Sequence, residues 1–96
     1  MNVVFEDEAL DDLQRIFDWI AEVNRPAAEK LVERLFDRAE SLAAPELAYT
    51  GRPGLDAGTR ELIEYPYIIV YEVHEDRGNI VVLSVVHGAQ DREAER

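Results

Sequence analysis

Cysteine is absent from this sequence. No disulfide, thiol nucleophile or Cys-based zinc site can form, which suits a reducing compartment. Lysine occurs once, at Lys30; Lys and Arg total 10 against 21 Asp and Glu, for a net charge of −11. Phosphate neutralisation supplies most non-specific affinity for nucleic acid, so direct nucleic-acid binding is not expected of so anionic a chain. A protein partner with basic anchors suits it better. No apolar run approaches the roughly 20 residues that span a bilayer, and Met1-Asn2-Val3-Val4-Phe5-Glu6-Asp7 has no basic n-region. A cytoplasmic location is expected, with no membrane partner. His74 and His87 are isolated, and no Gly-rich phosphate loop, Ser-His-Asp order or paired-carboxylate arrangement stands out. No cofactor or metal is expected. The 96 residues make one domain, 1–96.

The densest signal is Gly58-Thr59-Arg60-Glu61-Leu62-Ile63-Glu64-Tyr65-Pro66-Tyr67-Ile68-Ile69-Val70-Tyr71, followed by Asn79-Ile80-Val81-Val82-Leu83-Ser84-Val85-Val86-His87. β-Branched and aromatic residues pack well on a pleated surface and lose rotamer freedom in a helix. Pro66 and the polar segment His74-Glu75-Asp76-Arg77-Gly78 separate three runs, which predicts an antiparallel meander. Strict alternation puts Tyr67, Ile69, Tyr71 and Val73 on one face. In the last run it sets Val81, Leu83, Val85 and His87 against Ile80, Val82, Ser84 and Val86. Both faces of that run are apolar, so it should be central. Val3-Val4-Phe5 predicts a further strand.

Between the first strand and the meander lie two helical patterns. Leu10, Leu13, Phe17 and Ile20, with Ala9 and Ile16 beside them, recur at spacings of three and four. Glu6 or Asp7 is the candidate cap, and Asp11, Asp12, Asp18 and Glu22 are assigned to the solvent side. Trp19, off the stripe's centre, either edges the core or anchors a partner. Val23-Asn24-Arg25-Pro26 breaks the pattern, with Pro26 suited to a first helical position. Ala28, Leu31, Val32, Leu35, Phe36, Ala39 and Leu42 form a second stripe, so the two helices make a hairpin. The fold class is α+β, β-α-α-β-β-β, with the hairpin on one face of a small, mostly antiparallel sheet. Leu47 to Gly58 is a long loop carrying Arg52, and such loops are often functional. Arg60 either pairs with a carboxylate such as Glu61, Glu64 or Glu72, or presents charge to a target.

The ordered set of opening acids with Ala9 and Asp12-Leu13, then Arg25-Pro26-Ala27-Ala28, Gly58-Thr59-Arg60-Glu61-Leu62, Tyr67/Tyr71 and Val86-His87-Gly88-Ala89-Gln90-Asp91 resembles the ParE branch of the RelE/ParE toxin superfamily. The resemblance runs over nearly the whole chain. It implies the toxin of a type II toxin–antitoxin system, inhibiting DNA gyrase by protein–protein contact and neutralised by a ParD-like antitoxin. Candidate target contacts are Arg52, Arg60, His87 and Arg92. Candidate antitoxin contacts are Leu13, Phe17, Trp19, Leu35, Tyr67 and Tyr71. The alternative is a RelE-like ribosome-dependent mRNA endoribonuclease, whose chemistry would fall to Arg60 and His87. Such cleavage needs a base, cations for the developing charge and an acid, and the loop and meander supply few basic groups. The chain departs from ParE-like tails at Gln90, where Arg is common, and at Arg92, where an aromatic is common.

Overall fold

The structure, a computed structural model, describes residues 1–88. Strand β1 (Asn2–Phe5) leads into helices α1 (Asp7–Ala21) and α2 (Arg25–Glu40). Two short 3-10 turns and the two-residue strand β2 (Arg52–Pro53) follow, then the meander β3 (Arg60–Glu64), β4 (Tyr67–His74) and β5 (Asn79–His87). The sheet order is β1-β5-β4-β3-β2. Strand β1 runs parallel to β5, and the other pairs are antiparallel. The expected α+β fold is present, with β5 interior to the sheet. The pairing of Arg52 with Glu61 and Pro53 with Arg60 adds a strand inside what reads in sequence as loop.

The helices form where the apolar spacing predicts them. Asn24 caps α2 by accepting the Ala27 N–H at 3.0 Å, a bond of the kind that contributes about 1 kcal/mol. Pro26 therefore stands at the second helical position rather than the first; its missing N–H is harmless at either, because neither donor has an intrahelical acceptor. At α1 the cap position is Glu6, whose side chain makes no capping bond. Asp7 and Glu8 lie in the first turn of that helix, where acids interact favourably with its dipole.

The core lies between the hairpin and one sheet face: Ala9, Leu13, Leu35, Ala39 and Leu42 meet Leu62, Ile69, Tyr71, Ile80, Val82 and Val85. Each large side chain enclosed there contributes about 1.5–3 kcal/mol of transfer free energy. Phe5 and Phe36 join β1 to α2, with ring centroids 5.0 Å apart.

Strict alternation fails in β5. Tyr71 opposes Val82 but Val70 opposes Ser84, so Leu83 is an extra, bulged residue. The bulge returns Val85 and His87 to the helix side, where Ile80 and Val82 already point. The period-two assignment of these residues to opposite faces is thus corrected by one inserted residue.

Candidate functional site

The expected loop is strapped to the sheet. Tyr71, fully buried, accepts the Gly51 N–H at 3.0 Å and donates to the Ala48 carbonyl at 2.9 Å. Gly51 is required by close approach, since a Cβ would stand 2.7 Å from the Glu61 carbonyl and 2.8 Å from the Tyr71 hydroxyl. Arg60 completes the strap. Its guanidinium donates to the carbonyls of Tyr49 and Gly51 and lies 5.4 Å from the centre of the Tyr49 ring. None of Glu61, Glu64 or Glu72 is its partner: Glu61 takes Arg52 at 3.1 Å, Glu64 takes Arg34 and Arg38, and Glu72 takes His74. The structural role of Arg60 is therefore to hold loop carbonyls, which acquire a charged donor where water would otherwise serve. The Tyr49 hydroxyl donates to Glu75 at 2.7 Å. That bond raises the Tyr49 phenol above its usual value, with partial burial and the Glu75 charge adding and Arg60 opposing.

Two of the target candidates come together. Arg52 and His87 line one cleft of about 300 Å³ with Ile63, Tyr65, Pro66, Tyr67, Ile68 and Gly88. Arg60 does not join them. It stands opposite Tyr71 whereas His87 stands opposite Tyr67, four residues or about 13 Å along the strand. The pairing of Arg60 with His87 expected of a ribonuclease is not assembled. His87 meets the Tyr67 ring edge-on at 5.5 Å, and its Nδ1 is enclosed without a hydrogen-bond partner among the described residues. Arg92 lies outside the described residues, as do Gln90 and the rest of the tail after Gly88.

The antitoxin candidates separate by burial. Leu13, Leu35 and Tyr71 belong to the core and have no surface for a partner. Sequence periodicity marks a residue as apolar-facing without saying whether the neighbour is the chain's own sheet or another protein. Phe17 is half-buried in a groove with Leu10, Val32 and Phe36, and Arg25 lies over its ring. Tyr67 is half-buried beside His87. Trp19 is 76% exposed; of the two readings open in sequence, the core-edge position is excluded.

Asp12 is the residue that sequence reasoning placed on the wrong side. It is buried, its Oδ2 accepts the Val85 N–H at 2.9 Å, and its Oδ1 pairs with Arg15. A signal was present: Asp12 follows Ala9 by three and precedes Ile16 by four, so it stands within the apolar stripe. With Arg15, Ile16, Trp19, Tyr67, Val85 and His87 it lines a second cleft of about 440 Å³.

Among the described residues, no group of three or more His, Cys, Asp or Glu is arranged to hold a metal, and no helix is long and apolar enough to cross a membrane. Of the eight described Lys and Arg, six are tied to carboxylates or carbonyls of the chain, leaving Lys30 and Arg77 without such a bond.

A helical hairpin on one face of a five-stranded mixed sheet, with β1 parallel to the last strand, is the architecture of the RelE/ParE-like toxins. The profile of the ParE toxin of type II toxin–antitoxin systems (parDE) matches residues 3–92, and the chain belongs to that family. Among solved structures, the chromosomal ParDE system of P. aeruginosa superposes with a TM-score of 0.77 at 22% identity, covering 91% of this chain and 95% of that one. The RelBE2 toxin–antitoxin complex of Mycobacterium tuberculosis gives 0.68 at 19%, covering 90% and 88%. The isolated RelE toxin of E. coli gives 0.57 at 14%, covering 99% and 96%. No curated protein sequence matches the chain.

Proposed function

We propose that this toxin acts in the cytoplasm by protein–protein contact, inhibiting DNA gyrase, and that a ParD-like antitoxin with basic anchors neutralises it. The observation that carries this reading is the internal use of positive charge. Cleaving RNA requires cations free to meet the phosphate and its developing charge. Here Arg15, Arg25, Arg34, Arg38 and Arg52 are engaged by carboxylates, and Arg60 by loop carbonyls. The remaining surface is anionic, with a net charge of −11 over the chain. It favours fast, salt-sensitive association with a basic protein surface. Membership of the ParE family supports the same reading.

A ribonuclease reading has one observation in its favour, the cleft shared by Arg52 and His87. Its chemistry would use that pair in place of Arg60 and His87. The deciding experiment supplies the purified toxin to gyrase supercoiling reactions and, separately, to a translating ribosome system. Loss of supercoiling, restored by the co-purified antitoxin, is expected. Messenger cut at ribosome positions with supercoiling intact would overturn the proposal.

A further inference from the structure

Leu62 and Ile69 point into the core, so Glu61, Ile63 and Ile68, one residue away along the same strands, share the sheet face turned away from the helices. Ile63 stands directly across from Ile68, and Arg52 across from Glu61. With the β3–β4 turn, these positions shape the 300 Å³ cleft that Arg52 and His87 share. Its walls are fixed before any ligand arrives. Glu64 holds Arg34 at 2.9 Å and Arg38 at 3.3 Å, which ties the turn to α2. From β5, the Gly88 N–H donates to the Pro66 carbonyl at 2.9 Å. Gly88 lies so close that a Cβ there would stand 3.2 Å from the Ile68 side chain. Ile68 is thereby a buried floor, whereas Ile63 at 43% exposure and Tyr65 at 84% are open walls.

Charge defines the occupant. The cleft beneath α1 sets Asp12 beside Arg15, and the one beside Tyr49 carries Glu72, Glu75 and Asp76. This cleft has Arg52 and no carboxylate in its lining. Buried Glu61 takes the Arg52 Nε–H at 3.1 Å, while the Arg52 side chain remains 56% exposed. A guanidinium offers five N–H donors in a planar fork, so the Nη edge is left for a second carboxylate, with no other bond among the described residues. His87 adds a donor. A proton on its enclosed Nδ1 would have no acceptor among the described residues, so the neutral ring carries it on Nε2. One half-used fork suits a singly charged group, whereas the developing charge of RNA cleavage needs more. We propose that this cleft binds a small aromatic carboxylic acid, its carboxylate end-on to the Arg52 Nη groups and its ring between Ile63, Ile68 and the Tyr65 ring. Mostly apolar walls with a few placed polar groups are the usual make-up of ligand sites, and the volume is at their small end. A ligand of about a dozen non-hydrogen atoms at ordinary efficiency binds with a Kd of about 1 mM. The site does not depend on what the toxin inhibits, so a binding assay can fail with the supercoiling result intact.

The test titrates the full chain, isotope-labelled, with indole-3-acetate and 2-naphthoate. Indole-3-acetamide supplies the ring without the charge, acetate the charge without the ring, and guanosine monophosphate a nucleotide. Both aromatic acids are expected to saturate at about 1 mM and to shift the Ile63, Ile68 and Gly88 amides and the Arg52 Nε–H. Indole-3-acetamide should bind at least about tenfold more weakly, and acetate should not saturate. Arg52→Lys keeps a cation for Glu61 but loses the fork, and should weaken binding at least about tenfold. Ile63→Glu brings a carboxylate into the lining at an exposed position, and should abolish binding with little change in melting temperature. The proposal is overturned if neither acid saturates by about 10 mM, or if the amide or either variant binds within about twofold of the acid on wild type. Shifts confined to the cleft beneath α1 would also overturn it, as would tighter binding of guanosine monophosphate, which would make this a nucleotide site.

Discussion

Replacing Tyr71 by Phe tests how the long loop is held. The ring is fully buried and stays in place, so no cavity larger than the missing hydroxyl is created. Two backbone groups lose their partner, the Gly51 N–H and the Ala48 carbonyl, and both residues are buried. A buried polar group left unsatisfied costs about 1–3 kcal/mol. Partial relaxation of the loop toward water recovers some of that, so a total of about 2–4 kcal/mol is expected. For a domain of this size about 1 kcal/mol moves the melting temperature by roughly 4–8 °C, so the variant should melt at least about 8 °C lower. Urea unfolding followed by circular dichroism gives the free energy, and amide exchange at Gly51 reports the local effect. A loss below about 1 kcal/mol, or unchanged Gly51 protection, would show that the loop is held by something other than this hydroxyl.

Arg60→Ala should lower stability by about 1.5–3 kcal/mol, the range for hydrogen bonds to a charged donor, and open the segment from Tyr49 to Gly58 to limited proteolysis; toxicity should then fall in proportion to folded protein, and a variant as protease-resistant as wild type would refute the strap. Gly51→Ala should destabilise at least as much as Tyr71→Phe, because the added methyl meets the Glu61 backbone as well as the Tyr71 hydroxyl; thermal melts of the two variants side by side decide it. The Tyr49 phenol is raised above its ordinary value of 10.0 in the folded state, chiefly by its bond to Glu75. Its contribution is therefore fully present below the unfolded phenol value and lost as pH rises through the folded one. The stability difference between wild type and Tyr49→Phe should be constant near neutrality and shrink at strongly alkaline pH; a difference that grows there would contradict the assignment.

The elements were legible because their causes are local. Leu10, Leu13, Phe17 and Ile20 make α1 readable from spacing alone, and the Ile, Val and Tyr runs make β3, β4 and β5 readable from side-chain shape. Strand β2 was not, because Arg52 and Pro53 have no strand character of their own and are ordered by pairing with Glu61 and Arg60. Arg52 and His87 were recognisable as candidates, but their common cleft was not, since it requires the sheet order and the bulge at Leu83. Leu13, Leu35 and Tyr71 show the converse error: an apolar periodicity has the same form whether it faces a sheet or a partner.

Composition and pattern alone determined that this is a cysteine-free, strongly anionic α+β domain with a helical hairpin over a meander. Those properties follow from side-chain chemistry and from neighbours within one or two turns. Only the tertiary structure decided where the few cations go, which face Val85 and His87 take, and that Asp12 turns inward to a strand 73 residues away. Each of these depends on a hydrogen bond or a register between distant segments, and a single bulged residue is enough to reverse what period two implies.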